Sequence, residues 1–331
     1  VYAMPVTGGI PKRLTYHPDF DSVVDYSPDG RVIFSSSREP EYPRTTRLYY
    51  ASPTGGLPQP LPVAYGATAS ISDDGQWLAF TPWSREGHTW KRYQGGSATD
   101  IWLFNLKTGE SRRITNFPGT DDLPMFHGNK IYFLSDAGPA HRRNIWVYDL
   151  KSMKREQVTH FKRFDVKWPS IGPEDIVFQY GDRLFLLSLS NLRTRELHVS
   201  IPGDHPNVRT QLTDVSDDIF QMSISPHGKR VVANVHGDIW TLPAEKGFPR
   251  DLTRTDGVAE RYPAWSPDGK WIVYFSDRSG EYELTLRKSD GSGEEKRLTK
   301  NGRVFRYSPR WSPDSKKIAF SDKTGAYYIY L

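Results

Sequence analysis

One short motif, an aromatic residue or Ile followed by Ser-Pro-Asp-Gly, recurs along the whole chain. The seven copies, two intact and five degenerate, begin at Tyr26, Ile71, Phe126, Ile171, Ile224, Trp265 and Trp311. Their starts lie 41 to 55 residues apart. Self-similarity at a period of this size is typical of a repeat architecture. The sequence therefore predicts about seven structural units of similar size.

Each copy of the motif has the chemistry of a β-hairpin corner. In the copy that begins at Tyr26, Pro28 presets the φ angle of the turn, Asp29 can hydrogen-bond to nearby backbone, and Gly30 tolerates positive φ. We therefore expect the aspartates of the motif to form turns, and we do not expect them to bind metal or to act in catalysis.

The residues after each corner predict three further strands of a four-stranded sheet. Short apolar runs such as Trp271–Phe275 come first, and continuous apolarity indicates a strand covered on both faces. An aromatic strand such as Ile145–Tyr148 follows, and then an edge strand of the form basic-basic-apolar-Thr, as in Arg112–Thr115. Four strands at this period predict an all-β, TolB-like propeller of about seven blades and disfavour an immunoglobulin-type sandwich.

Composition supports strands and excludes several kinds of site. The 27 glycines and 25 prolines are spread over 331 residues, and 13% of the residues are aromatic, which disfavours long helices. The absence of cysteine removes disulfides, thiolate metal sites and cysteine nucleophiles. The net charge of +5 is too small to predict nucleic-acid binding, and no apolar run is long enough for a membrane span.

Catalytic motifs are also absent from the sequence. There is no Gly-x-Ser-x-Gly, the spacing of an α/β-hydrolase nucleophile, and no His-Glu-x-x-His zinc motif. The pairs Gly228-Lys229 and Gly269-Lys270 lack the other residues of a phosphate-binding loop. We therefore expect no catalytic residue, no metal site and no cofactor in this chain.

Several stretches give most of the chain a resemblance to the propeller region of tricorn-type serine peptidases. The most specific is Trp90–Gly96, and the others are Tyr2–Pro5, Arg13–Pro18, Ile131–Asp136, Pro243–Gly247 and Ala319–Gly325. The resemblance implies a large peptidase, homo-oligomeric as the full-length protein, with a six-bladed propeller followed by a seven-bladed one. Its catalytic Ser and His would lie in later domains that are joined to a PDZ-like module.

The same resemblance implies a domain boundary and a compartment. The boundary falls near residues 201–215, so that residues 1–200 would supply late blades of the first propeller and residues 216–331 the first blades of the second. The resemblance favours the cytoplasm, and the periplasm stays open. The family is described as anchoring peptide C-termini with propeller arginines, but Trp77 occupies the hairpin where such a pair would be sought first.

The long connection in the second repeat is the candidate contact site for a peptide or protein partner. Its candidate residues are Trp90, Lys91, Arg92, Tyr93 and Gln94. Long loops on rigid scaffolds often carry recognition, and aromatic residues with Arg are the usual composition of binding hot spots. In the alternative interpretation, Trp83, Trp90 and Tyr93 only pack this loop against its own blade or a neighbouring domain.

Three functional hypotheses follow. The first is a noncatalytic propeller region of a tricorn-like peptidase that gates or docks peptides for a serine-protease domain outside this chain. The second is a stand-alone TolB-like propeller that binds a protein partner. The third is the propeller cap of a prolyl-oligopeptidase-like hydrolase, which predicts a Gly-x-Ser-x-Gly motif downstream.

Overall fold

The computed structural model describes residues 1–39, 45–88, 92–204, 211–300, 302, 305–322 and 325–331. Within these ranges the chain forms 29 strands in eight antiparallel sheets, with one short 3-10 helix at Ser216–Asp218. Six sheets have four strands, one has three and one has two. The prediction of an all-β chain made of about seven four-stranded propeller blades is confirmed.

Contacts between residues divide the chain into two compact units. The first comprises Val1–Thr89 with Tyr93–Val199, and the second comprises Trp90–Arg92 with Ser200–Leu331. The predicted boundary at residues 201–215 includes residues 205–210, which lie outside the described residues. The assignment of the two units to two successive propellers stays a prediction.

The first unit contains a two-stranded sheet and four blades. The short sheet consists of β1 (Tyr2–Ala3) and β2 (Lys12–Arg13). Blade 1 consists of β3 (Asp21–Tyr26), β4 (Val32–Ser36), β5 (Arg47–Ala51) and β6 (Gln59–Pro60), and blade 2 of β7 (Thr68–Ile71), β8 (Trp77–Thr81), β9 (Trp102–Asn105) and β10 (Ser111–Arg113). Blade 3 consists of β11 (Asp121–His127), β12 (Lys130–Ser135), β13 (Asn144–Asp149) and β14 (Lys154–Gln157), and blade 4 of β15 (Val166–Ile171), β16 (Asp175–Tyr180), β17 (Arg183–Ser188) and β18 (Thr194–Leu197).

The second unit contains three blades. Blade 5 consists of β19 (Ile219–Ile224), β20 (Arg230–Val235), β21 (Asp238–Pro243) and β22 (Arg250–Asp251). Blade 6 consists of β23 (Glu260–Trp265), β24 (Trp271–Ser276), β25 (Glu283–Lys288) and β26 (Lys296–Arg297), and blade 7 of β27 (Arg306–Trp311), β28 (Lys317–Asp322) and β29 (Ala326–Tyr330). In every blade each strand pairs with the next strand in sequence.

The hydrophobic core of each unit lies between successive blades. Ile33 and Leu48 of blade 1 form one buried cluster with Leu78 and Phe80 of blade 2, and blades 6 and 7 share a similar cluster. The second strands β4 and β24 are buried along almost their whole length, whereas the fourth strands β10 and β26, and β2 of the two-stranded sheet, are exposed. Within each unit, a blade therefore covers apolar strands of its neighbour and leaves its charged edge in solvent.

The aspartates of the repeated motif form turns, as predicted. In blade 2, Asp74 Oδ1 accepts hydrogen bonds from Ser72 Oγ at 2.6 Å and from the backbone N of Gln76 at 3.0 Å. These two donors hold the pKa of Asp74 below its ordinary value. Asp268 has the same arrangement with Ser266 in blade 6.

A β-bulge interrupts the first strand of each of blades 3 to 7. The hydrogen-bond register shifts two residues after the strand begins, and the residue at the shift has positive φ. These residues are Leu123, Trp168, Gln221, Tyr262 and Ser308. In four of the five blades the following residue is Pro, which has no N–H for the ladder and is tolerated at a bulge.

Candidate functional site

The candidate site is the long loop, residues 82–101, which connects β8 to β9 in blade 2. The structure describes residues 82–88 and 92–101 of this loop. The predicted contact residues Trp90 and Lys91 lie outside the described residues. The contacts that position the loop are therefore those of its two described ends.

The carboxylate of Asp122, in the first strand of blade 3, anchors the start of the long loop. Its Oδ2 accepts hydrogen bonds from Ser84 Oγ at 2.9 Å and from the backbone N of Arg85 at 2.8 Å. Its Oδ1 accepts from the hydroxyls of Thr68 at 3.1 Å and Thr81 at 3.3 Å. Because Asp122 is fully buried and both oxygens are hydrogen-bonded, the loop leaves β8 in a fixed direction.

An ion pair joins the same part of the loop to blade 3. Glu86 Oε2 lies 2.6 Å from Arg143 Nη2, and the two side chains are 6% and 13% exposed. Arg143 directly precedes β13. A pair this buried is costly to break, since either charge would be left without its counterion.

The second described part of the loop packs on the first. Trp83 Nε1 donates a hydrogen bond to the carbonyl oxygen of Ser97 at 2.9 Å. The guanidinium of Arg85 lies over the ring of Tyr93, 5.2 Å from its centroid. Trp83 and Tyr93 therefore contact other residues of the loop itself, and whether they only pack it or also meet a partner stays a prediction.

A threonine side chain, which the sequence did not point to as a structural contact, holds the end of the loop by hydrogen bonds. Thr115 Oγ1, after the last strand of blade 2, accepts from the backbone N of Ile101 at 2.9 Å and donates to Asp100 Oδ1 at 3.2 Å. We call this arrangement the threonine bracket. It recurs in blades 3 and 5 around Thr159 and Thr253. Its sequence signal is Asp or Asn at or just before the start of the third strand, combined with a Thr that follows the fourth strand.

The structure describes three of the five predicted contact residues, and they differ in environment. Arg92 groups with the second unit and is buried there, where its Nη2 donates to Glu281 Oε1 at 2.6 Å. Tyr93 is half-buried against Arg85, and Gln94 is exposed. Of these three, Gln94 has the most accessible side chain for a partner.

The described residues were compared with the requirements of a metal site and of a membrane span, and the long loop with those of a binding surface. They include no group of three or more His, Asp or Glu side chains arranged to hold a metal ion. None of their helices has the length and apolarity needed to cross a membrane. The long loop offers aromatic surface, amide groups and backbone on a rigid support, which can hold an extended ligand by packing and hydrogen bonds.

Comparisons with known proteins show which family the propeller blades resemble. Residues 1–193 match the family model described as the tricorn protease N-terminal beta propeller domain. The putative tricorn protease homolog 2 of Streptomyces coelicolor is 26% identical over 319 residues, which cover 92% of this chain and 27% of that protein. The tricorn protease homolog of Saccharolobus solfataricus is 22% identical over 297 residues, or 89% of this chain and 27% of that protein.

The crystal structure of the tricorn protease has the same fold. It superposes with a TM-score of 0.55 at 17% identity, covering 97% of this chain and 40% of that one. This chain thus spans about a quarter of the length of the curated relatives it matches (27% of each). Since the family model covers more than half of the chain, this chain belongs to the tricorn protease N-terminal β-propeller family.

Proposed function

We propose that this chain is a noncatalytic propeller region of a tricorn-like peptidase, and that it gates or docks peptide substrates for a serine-protease domain outside residues 1–331. The observation that carries the proposal is the match of residues 1–193 to the tricorn N-terminal propeller. The match names a propeller domain of a protease, and the sequence contains none of the catalytic motifs sought in it.

The geometry of the long loop supports a docking role. Asp122 fixes its beginning and Thr115 fixes its end, so these two described ends are already ordered before a ligand binds. Preorganised loop ends lose less conformational entropy on binding and therefore favour tighter binding for the same contacts. We assign peptide contact to Trp90, Lys91, Tyr93 and Gln94, and a positioning role to Arg92.

We also propose that the two compact units belong to two successive propellers, as residues 1–200 and 216–331. The boundary between the two compact units, which falls between Val199 and Ser200, supports this assignment. The core clusters of blades 1 to 4 and of blades 5 to 7, each made of residues from a single unit, support it further.

The test compares long and short substrates in the full-length protein. We expect Trp90→Ala combined with Gln94→Ala to lower kcat/KM for a long fluorogenic peptide at least about fivefold, the effect of losing about 1 kcal/mol of hot-spot contact. Turnover of a short reporter that does not reach the loop should stay the same. The control is Leu57→Ala, at an exposed position in the β5–β6 connection of blade 1.

Two results would count against the proposal. Unchanged turnover of the long peptide in the double variant would remove the loop from substrate docking. Hydrolysis of peptides at an enzyme-like rate by residues 1–331 alone would contradict a noncatalytic role.

A further inference from the structure

A positively charged groove lies along the outer strands of blade 5, in the second unit. Its volume is about 670 Å³, and it is lined by Arg230, Trp240, Phe248, Arg250, Asp251 and Arg254. A second cavity of about 400 Å³ shares Arg230 and Arg250 with it and adds His227, Lys229 and Trp265. We call the two together the arginine groove.

The strand pairing of blade 5 builds this groove. Arg250 and Asp251 form the short outer strand β22 and pair with Thr241 and Trp240 of β21. The connection between these strands carries Phe248, whose side chain is 88% exposed. Arg230 Nη2 donates to the carbonyl oxygens of Thr241 at 2.9 Å and Phe248 at 3.2 Å, which holds the connection in place.

Basic residues outnumber acidic ones in the lining of the groove, because Lys229, Arg230, Arg250 and Arg254 line it together with Asp251 and Asp290. In the described part of the chain, Arg230, Arg250 and Arg254 have no carboxylate within ion-pair distance, and Arg250 Nη1 donates instead to the backbone oxygen of Asp290 at 2.6 Å. Asp251 Oδ1 accepts hydrogen bonds from the backbone N–H groups of Thr253 and Arg254, both at 3.1 Å. The groove therefore carries a surplus of positive charge.

This pattern differs from that of other arginines in the chain. Arg38, Arg143, Arg287 and Arg306 each lie within 3 Å of a buried or nearly buried carboxylate. Arg250 and Arg254 are exposed and lie beside an exposed aromatic ring. Arg, Trp and other aromatic residues at an accessible groove are the composition of protein-binding hot spots.

We propose that the arginine groove binds an acidic peptide segment of a protein partner. Carboxylates of the segment pair with Arg250 and Arg254, because a guanidinium matches a carboxylate in a two-point hydrogen-bonded geometry. Apolar side chains of the same segment pack on Trp240 and Phe248. A simple anion would use the charges and leave this aromatic surface uncovered, so a peptide fits the groove better. The inference does not depend on the proposed peptidase role.

The test titrates the purified chain into a fluorescein-labelled peptide of alternating Glu and Phe, with fluorescence anisotropy as the readout. We expect Arg250→Gln combined with Arg254→Gln to weaken binding at least about tenfold. The matched control is Arg297→Gln, because Arg297 pairs with Thr285 in blade 6 as Arg250 pairs with Thr241 in blade 5. This control should bind like the unaltered chain. A peptide with Gln in place of Glu should bind at least about tenfold more weakly, and higher salt should weaken binding of the acidic peptide.

Phe248→Ser provides a second variant that leaves the core intact, since this side chain is exposed, and it should also weaken binding. Circular dichroism and the urea midpoint establish that each variant is folded. Equal affinity in the double arginine variant, equal affinity for the Gln peptide, or full displacement of the acidic peptide by inorganic phosphate at equal concentration would each overturn the proposal.

Discussion

Replacing Asp121 with Asn should stabilise the chain relative to the unaltered protein, and increasingly so as the pH rises from 5 to 8. Asp121 is the first residue of β11, and its side chain is completely buried. Neither carboxylate oxygen has a hydrogen-bond partner of normal geometry among the described residues, and Arg155 Nη1 lies 3.7 Å away. Burial raises the pKa of Asp121 from 3.8 to about 7, although the nearby hydroxyls of Ser135 and Thr115 and the charge of Arg155 offset part of the rise.

The magnitude follows from this pKa. Because one pKa unit corresponds to about 1.4 kcal/mol, a rise from 3.8 to about 7 makes ionising Asp121 in the folded chain about 4 kcal/mol more costly than in the unfolded chain. The folded pKa is the higher one, so the contribution of this group is fully present below about pH 3.8 and is lost as the pH rises through about 7. About 2.5 kcal/mol of the loss falls between pH 5 and pH 8. Asn does not titrate, so the unfolding free energy of the variant should exceed that of the unaltered chain by about 2.5 kcal/mol more at pH 8 than at pH 5.

Asp21 provides a matched control with the opposite sign. It is the first residue of β3 and pairs with Ser36, as Asp121 pairs with Ser135. Burial acts to raise its pKa, but hydrogen bonds from Arg38 Nη2, at 2.8 and 2.7 Å to its two oxygens, outweigh burial together with nearby hydroxyls and hold the pKa below its ordinary value. The stability that Asp21 provides is present above pH 3.8 and is lost as the pH falls below that value. Asp21→Asn should therefore destabilise the chain by the same amount throughout pH 5 to 8.

The assay is urea unfolding followed by tryptophan fluorescence at several pH values from 5 to 8, for the unaltered chain and the two variants. The quantity compared is the difference in unfolding free energy between each variant and the unaltered chain. A difference for Asp121→Asn that is constant or shrinks as the pH rises would refute the reasoning. It would mean that Asp121 is ionised in the folded chain and is stabilised by Arg155.

Two further substitutions test packing and the threonine bracket. Thr115→Val keeps the shape of the side chain but removes the acceptor for Ile101 N and the donor to Asp100, so we expect a loss of about 1–2 kcal/mol in urea unfolding and faster amide exchange at Ile101. Thr194→Val, on the exposed strand β18, is its control, and equal losses in the two would contradict the bracket. Gly119→Ala should destabilise the chain by about 1–3 kcal/mol, because its Cβ would lie 2.4 Å from Phe117 Cε1 and 2.6 Å from Asp136 Oδ1. Gly96→Ala, with no atom within 4 Å of its Cβ, should be neutral, and an equally neutral Gly119→Ala would show that the backbone there yields freely.

The repeat was predictable from the sequence because its signal is local. Ser, Pro, Asp and Gly act within one turn, and the hydrogen bonds between Ser72, Asp74 and Gln76 span only a few residues. The bulges of the first strands were not predicted, although they leave a signal. Pro124, Pro169, Pro263 and Pro309 each stand two residues before the start of a motif copy, at the positions where the register shifts.

The candidate site was less predictable because its contacts join residues far apart in sequence. Glu281, the ion-pair partner of Arg92, lies 189 residues further along the chain. Asp122, which anchors Ser84 and Arg85, belongs to the next blade and is indistinguishable in sequence from the adjacent Asp121. Among the described residues, Asp122 accepts several hydrogen bonds and Asp121 accepts none of normal geometry, a difference that only the folded sheet creates.

The threonine bracket also bears on how chains of this kind can change in length. In blades 2, 3 and 5 its hydrogen bonds join residues only 14 or 15 positions apart, so each repeat encodes the fastening of its own outer strand. When a repeat is duplicated or deleted, the hydrogen bonds of its own threonine bracket are gained or lost with it. The threonine brackets of the flanking repeats stay complete. Gene rearrangement can therefore add or remove whole repeats without first requiring compensating substitutions in distant parts of the polypeptide.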